Sequence, residues 1–455
     1  MSEQRLSFFQ LALLTMPWIG VQAIWSTEFS VITPVMESYH LGPFWSRNIW
    51  IFGPITGFFT APVVGAFSDA CTSRLGRRRP FIIAGLILTV IASTVFALSN
   101  NYGSARLAVS FISFIILDIT INVMQTPLRA LAGDNAAEDQ QTTVQLFATF
   151  FQGCGSMLGF GLSRAFWTGS PEDLPKLIFT VMAVNIFFIT LTCFVITEKR
   201  TTREVKKIKV TEPFVVVIRN VFKMDKKMVV VCAIEFLSWA AAFAYWPAAS
   251  SWWGINVYKG CPKDTGCSAE REALYKEGQK NYGDSSLYQA IIQTVFGLSL
   301  AFIVSRGILT KVRIPYLLCL AVGAVFFILA KVGPQTVTMA YFVTMLWAIS
   351  NSAINAFPFA LVGRYAAEDT SDEIGVRMGL LNLFICLPQL IITFVVSAMS
   401  DSLGEEGLPW AFLIAGYCLG LASILCIFIQ EGPIAVNKGK EVADEANVPV
   451  AEVKQ

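Results

Sequence analysis

FIILDITINVMQTPLRALAGD, residues 114 to 134, closes a long apolar run and sets Asp118, Asn122, Gln125 and Arg129 into it. At about 100° per residue these four side chains fall within about 60° of one another on a helix, a narrow polar stripe along one side. An acid or base in hydrocarbon costs about 2.5–3.5 kcal/mol on insertion scales, so such groups face a bundle interior or a watery cavity. One reading is a structural seam that glues helices together. The other, which organises the rest of the chain, makes the stripe the solute and coupling-ion site of a carrier.

The composition agrees with a membrane setting. Of 455 residues, 55% are hydrophobic and 15% charged, and mean hydropathy is +0.59. A soluble domain carries about 25% charge. The net charge of +2 gives no footprint for nucleic acid. With one histidine, His40, and no His/Cys/Glu grouping at ligand spacing, no metal site is expected. A membrane-embedded enzyme would need catalytic acids, histidines or a nucleophile with its base at one depth, and the sequence offers no such cluster.

Apolar stretches predict twelve spans, at about 8–36, 45–67, 81–99, 106–133, 143–165, 176–196, 228–255, 287–306, 315–332, 337–362, 378–399 and 409–430. Pro17, Pro34, Pro247 and Pro358 are places to bend. MSEQRLSFFQLALL runs into the first span without a small-residue cleavage site, which predicts an uncleaved helix. The organisation expected is a six-helix half over 1–196, a cytoplasmic loop over 197–227, a second six-helix half over 228–430 and a polar, disordered tail over 431–455.

Lys and Arg set the orientation. Arg74, Arg77, Arg78 and Arg79, ten basic residues between Lys199 and Lys227, and Arg306, Lys311, Arg313, Arg364 and Arg377 share one set of loops. Both termini are therefore expected in the cytoplasm. The Val257–Ser286 loop faces the other side, where Cys261 and Cys267 could close a disulfide in an oxidising compartment. The mixture of basic and apolar residues from Pro213 to Phe222 suits an amphipathic helix on the inner leaflet.

The halves carry a trace of duplication. PLRALAGDNAAED (127–139) and PFALVGRYAAED (358–369) share proline, paired alanines and a final Glu-Asp, as repeated halves around a central site would. GAFSDACTSRLGRRRP (65–80) joins the second and third spans. Its glycine turn lets Arg74, Arg77 and Arg78 fold back to Asp69 and to acids of neighbouring loops such as Asp134 or Glu138, pairs able to hold one gate shut. Plain anchoring of the inner face is the alternative.

These residues carry a resemblance. GVQAIWSTEFSVITP (20–34), IWIFGPITGFFTAPVVGAFSDACTSRLGRRRPFI (49–82) and LDITINVMQTPLRA (117–130) resemble the major facilitator superfamily. Within it the likeness is to the glycoside–pentoside–hexuronide cation symporters, the plant sucrose–proton symporters and their animal relatives. In the second half the likeness thins to WWGINVYKG (252–260) and NAFPFAL (355–361). The resemblance implies an all-α fold of two pseudo-symmetric six-helix halves, with Asp118 as proton acceptor and Arg129 as its partner or an organiser of the sugar site. It implies amide contacts from Asn122 and Gln125. Independently of it, eleven residues of helix put Asp118 and Arg129 about 16 Å apart, so cargo or another helix must bridge them.

The first span adds Gln22, Trp25 and Glu28 as candidate cargo contacts; Glu28 at a bent, watery helix end is the alternative. Glu235, about two turns into the seventh span, is read as reaching back to the inner surface. A sugar site wants flat rings against pyranose C–H faces, and Trp239 and Trp252, with Phe243 and Trp253, are candidates. Aromatics also gather at membrane interfaces (Trp45, Trp50, Trp410), so a single tryptophan is more often an anchor than a cargo contact. The chain departs from the plant pattern at Ala249, Ser251, Ile255 and Asn256, where those proteins carry two acids and an Arg-Glu pair.

The function expected is proton-coupled symport of a sucrose-like disaccharide or glucoside by alternating access, with no cofactor beyond the proton. The partners expected are the sugar and the bilayer, with a functional monomer in the plasma membrane or an endomembrane. The alternatives are a carrier of the same fold for a hexose, nucleoside or organic acid, an uncoupled facilitator, and a non-transporting sensor.

Overall fold

The structure, a computed structural model, describes residues 5–41, 48–137, 140–167, 170–196, 198, 212–261, 268–306, 308–309, 311–368, 374–404 and 407–431. Trp45, Glu138, Cys267, most of the 197–211 connection and the tail beyond residue 431 lie outside the described residues.

The described residues form helices and no strand. Pro17 has no N–H to continue the ladder, and the first span divides there into α1 (Phe8–Thr15) and α2 (Pro17–Ser38). A capping box opens α1: Ser7 Oγ accepts from the Gln10 N–H, and the Gln10 side chain accepts from the Ser7 N–H. There follow α3 (Phe52–Asp69), α4 (Arg79–Ala97), α5 (Arg106–Asn135), α6 (Gln141–Phe166) and α7 (Leu174–Val195). After the short α8 (Glu212–Val221) come α9 (Lys226–Trp252), α10 (Ala269–Ser305), α11 (Arg313–Val332), α12 (Val337–Glu368), α13 (Ile374–Leu403) and α14 (Gly407–Leu425).

Eleven spans are long and apolar enough to cross a bilayer among the described residues. The remaining long helix, α6, carries Gln141, Thr142, Thr143, Gln145 and Gln152, which lower its hydropathy, and it is covered by protein: α2, α10 and α12 pack along it. Among the described residues, twelve helical spans then match the twelve expected. Buried apolar side chains gather in two clusters, one from Leu11 to Ile196 and one from Met228 to Ile429 that also takes in Leu146. The halves meet where α6 runs along α10 and α3 along α13.

One expectation needs correction. The Val257–Ser286 segment is not all loop, because α10 begins at Ala269 and its first turns stand proud of the expected span. Ser268 caps it by accepting from the Arg271 N–H, Glu270 and Glu272 lie in the first turn, and Tyr275 covers Gly254 and Gly260. The polar sequence hides this helix from a hydropathy reading. Cys261, tied to it by its N–H donating to the Arg271 carbonyl at 3.1 Å, is disulfide-bonded.

The internal repeat has a physical counterpart. After the last helix of the first half, the Glu198 carboxylate accepts from the Arg77 and Arg78 N–H groups at 2.9 and 2.7 Å. After the last helix of the second half, the Glu431 carboxylate accepts from the Val312 and Arg313 N–H groups at 3.0 and 2.7 Å. Each acid caps the start of the third helix of its own half, where free N–H groups and the helix dipole favour a negative charge.

Candidate functional site

Between the halves lies a cavity with an empty volume of about 1090 Å³, open solvent included. Three members of the α5 stripe reach its wall: Asn122, Gln125 and Arg129. Gln125 Nε2 donates to Asn122 Oδ1 at 2.8 Å, and Asn122 Nδ2 donates to the Asp118 carbonyl at 2.9 Å. Gln22 and Trp25 of α2 and Trp239 of α9 are on the wall.

Asp118 is not on it. Its side chain is fully buried, and neither carboxyl oxygen has a hydrogen-bond partner. Gly53 of α3 lies between: it lines the cavity, and a methyl on it would stand 3.6 Å from Asp118 Oδ2. One glycine therefore separates the carboxyl from the space where a solute would sit.

Two expected cargo contacts are elsewhere. Glu28 lines a separate small cavity among Ile24, Val31, Leu117 and Ile178, with both oxygens buried and unpartnered. The helix accounts for this: Gln22, Trp25 and Phe29 share a face, and Glu28 points about 100° round from Phe29. Trp252 is buried in the second half, where Nε1 donates to Gln335 Oε1 at 2.9 Å and the ring packs on Phe412, centroids 4.6 Å apart. Trp239, Phe243 and Trp246 share the cavity face of α9, and Trp252 lies about 140° round from Trp239. Trp253 is likewise buried, its Nε1 donating to Thr344 at 3.2 Å.

The remaining wall is a set of amides that sequence reasoning missed. Gln152, Gln293, Asn351, Asn355, Asn382 and Gln389 come from four helices. Asn351 donates to Gln293 at 3.1 Å and Asn355 to Asn351 at 3.1 Å, so α12 carries a bonded amide pair facing that of α5. With Gln22, Asn122 and Gln125 the wall presents nine carboxamides and one guanidinium, and among the described residues no carboxylate lines it. The signal for these amides was available: each sits in an apolar span, where a polar side chain needs a partner or water.

Aromatic rings close the cavity away from the chain termini. Phe29 stacks on Trp50 with centroids 4.6 Å apart and stands 6.0 Å from Trp246. These rings, with Phe243, also line a larger vestibule of about 2410 Å³ beyond them. They are the partition between the two spaces.

At the opposite face, that of the termini, the arginine loop is closed on itself. Arg78 pairs with Asp69 and Asp134, with Nε 2.9 Å from Asp134 Oδ2, and Arg77 pairs with Asp134 at 2.6 Å. Burial opposes the charge of Arg78, yet the Asp134 and Asp69 carboxylates outweigh it and hold the guanidinium above its ordinary range. Gly76, at φ +107°, makes the turn with Glu198 against it. Arg74 is exposed and stays outside this cluster. Every paired member belongs to the first half.

Glu235 does not reach the surface. It is fully buried, and Oε1 accepts from Trp239 Nε1 at 2.9 Å.

Residues 37–254 match the family described as MFS/sugar transport protein. The chain is 23% identical to sucrose transport protein SUT5 of Oryza sativa subsp. indica, over 90% of this chain and 85% of that protein. It is 24% identical to sucrose transport protein SUC3 of Arabidopsis thaliana, over the same shares. Among solved structures, the E. coli fucose:proton symporter FucP superposes with a TM-score of 0.63 at 13% identity, over 93% of this chain and 99% of that one. The human organic anion transporter MFSD10 gives 0.62 at 15%, over 91% and 98%. The chain thus has the major facilitator fold and resembles the sucrose transport proteins along nine-tenths of its length, and these relatives are transport proteins, not enzymes.

Proposed function

We propose that the chain is a secondary transporter that moves a neutral sugar, a disaccharide or glucoside, together with a proton by alternating access. The observation that carries this reading is the cavity wall: nine carboxamides, one guanidinium and stacked aromatic rings, with no carboxylate among the described lining residues. Amides donate to and accept from hydroxyls without holding a charge, and tryptophan faces suit the C–H faces of a pyranose. The relatives named for sucrose transport support the same class of cargo.

Proton coupling is assigned to Asp118. A charge buried there without a partner is costly, and a proton on either oxygen removes that cost. Rearrangement of α3 at Gly53 connects the carboxyl to the cavity, so its proton and the cargo are exchanged in the same cycle. Arg129, Asn122, Gln125, Gln22, Trp25 and Trp239 contact the cargo. Asp69, Arg77 and Arg78 stiffen the first half at the face of the termini. The basic loops support a cytoplasmic setting for that face, with the protein acting as a monomer in the plasma membrane.

Arg129 on the wall favours a second reading, a carrier of the same fold for a solute bearing a carboxylate. One experiment separates them. Purified protein in liposomes is given an inward proton gradient and a panel of neutral disaccharides, glucosides, hexoses, nucleosides and organic acids. Gradient-driven accumulation of a neutral disaccharide or glucoside is the expected result, and accumulation of organic acids alone overturns it.

A further inference from the structure

The connection between the halves ends in α8 (Glu212–Val221), a ten-residue helix at the face of the termini. It stands between Glu198, which caps α4, and Asp225, which caps α9 by accepting from the Met228 N–H at 2.7 Å. α8 packs on α3 of the first half and on α13 of the second, along the seam where those two helices meet. The same seam carries a bond between halves, from Asn382 Nδ2 to the Gly57 carbonyl at 3.3 Å. Val221 and Met224 pack on the core of the second half, so α8 travels with that half and leans on the first.

Docked in this way, α8 leaves an apolar face outward. Val215, Ile218 and Phe222 are exposed, Phe222 to 85%, and at i, i+3 and i+7 they fall within about 60° of one another. Exposed basic side chains border them, Arg219 and Lys223, with Lys226 following. Lys206, Lys207 and Lys209 precede the helix in the sequence. Apolar residues flanked by cations are the complement of an anionic leaflet: the apolar side chains enter the acyl boundary and the cations meet the headgroups. The bilayer already borders this seam, because Phe59 of α3 and Ile391 and Phe394 of α13 are exposed on membrane-spanning helices.

We infer that α8 is a membrane-surface clasp: seated in an anionic leaflet by Val215, Ile218, Phe222, Arg219 and Lys223, it lies across α3 and α13 and keeps the face of the termini closed. This rests on the alternating-access reading and not on which solute is carried. Opening that face parts α3 from α13, and a helix fixed to the second half then loses its contact with the first. The same rocking tilts α8 out of the leaflet plane, so each contact that α8 makes with lipid opposes the movement. Each basic residue at an anionic surface strengthens attachment by about fivefold, and salt screens it. The charge of the leaflet therefore sets how readily the carrier opens.

The test is a distance between halves, read in bilayers of two compositions. Spin labels go on Leu75→Cys and Ile308→Cys, both exposed and at the face of the termini, in a background with Cys71→Ser. Pulsed electron resonance on the full-length protein in lipid nanodiscs compares phosphatidylcholine alone with a mixture holding about 30% phosphatidylserine. The anionic mixture should lower the longer-distance population by about threefold or more, and about 0.5 M salt should return most of it. Arg219→Gln with Lys223→Gln should give the same populations in both lipids, at the level of the parent in phosphatidylcholine. Ile218→Ser with Phe222→Ser, which keeps both cations, should raise the longer population in both lipids. A single label on Ile218→Cys should be reached by oxygen and shielded from a water-soluble nickel chelate. Parent populations that ignore lipid charge, or a full lipid response in the charge variant, overturn the inference. So does free access of the chelate to residue 218, the result for a face covered by water or by a soluble partner. If the distances still shift when the pH is stepped, the inference falls alone; one rigid distance under every condition removes the alternating-access reading with it.

Discussion

Gly53 lines the central cavity beside Asp118, its missing methyl leaving 3.6 Å to Asp118 Oδ2. That gap accepts an alanine at ordinary van der Waals contact and nothing larger. Gly53→Ala should therefore keep gradient-driven transport within about twofold of the parent, whereas Gly53→Val, which fills the passage, should cut it by about tenfold or more. Initial-rate uptake in liposomes checks this. Equal rates for the two variants would mean that the carboxyl does not communicate with the cavity past Gly53.

The two tryptophans singled out by sequence should separate by assay. Trp239→Phe leaves a ring on the cavity wall but deletes the indole donor to Glu235, and should raise the KM for cargo by about fivefold, the worth of a buried hydrogen bond. Trp252→Phe removes a bond to Gln335 in the core of the second half and should leave KM unchanged while lowering the melting temperature. A KM shift in Trp252→Phe would place the cargo site elsewhere.

Three of the four stripe residues of α5 reach the cavity, a direction legible because polar residues on one helix face define that face without outside reference. The rotation of other helices could not be read in the same way. Glu28 lies three residues from Trp25, close enough to share its face in a loose reading, yet it looks into the packing of the first half. Asn351 and Asn355 were visible as polar residues in an apolar span, but only the partner Gln293 shows which way they point. Glu235 looked like a residue near a helix end; its burial within the second half came from tertiary contacts that no local pattern encodes. The first turns of α10 are polar enough to read as loop and are helical because they pack on Gly254 and Gly260 through Tyr275.

Close helix contact also predicts where small residues are required. Gly155 and Gly159, four apart on α6, face α2, and a methyl at Gly159 would meet the Ala23 carbonyl oxygen at 2.6 Å. Gly159→Leu should destabilise the first half by about 1–3 kcal/mol, seen as a lower melting temperature in detergent. Gly161, with open space around it, should tolerate leucine without a shift. Equal melting of the two variants would contradict this packing.

The arginine loop should fail when its acid is neutralised. Asp134→Asn leaves Arg78, whose side chain is 1% exposed, with Asp69 as its remaining carboxylate, and removes the partner of Arg77. Removing one member of a buried ion pair costs about 3–5 kcal/mol, and the partial exposure of Arg77 and Asp69 discounts this towards the lower end. Thermal melting should fall accordingly, while Arg74→Gln, outside the cluster, should leave it unchanged. A stable Asp134→Asn protein would make the loop an anchor only.

Asp118 decides the mechanism. With an inward proton gradient, liposomes carrying the parent protein should concentrate a neutral disaccharide or glucoside above its external level. Liposomes carrying Asp118→Asn should only equilibrate it, while exchanging labelled for unlabelled sugar at an undiminished rate. Accumulation by Asp118→Asn equal to that of the parent would contradict the account.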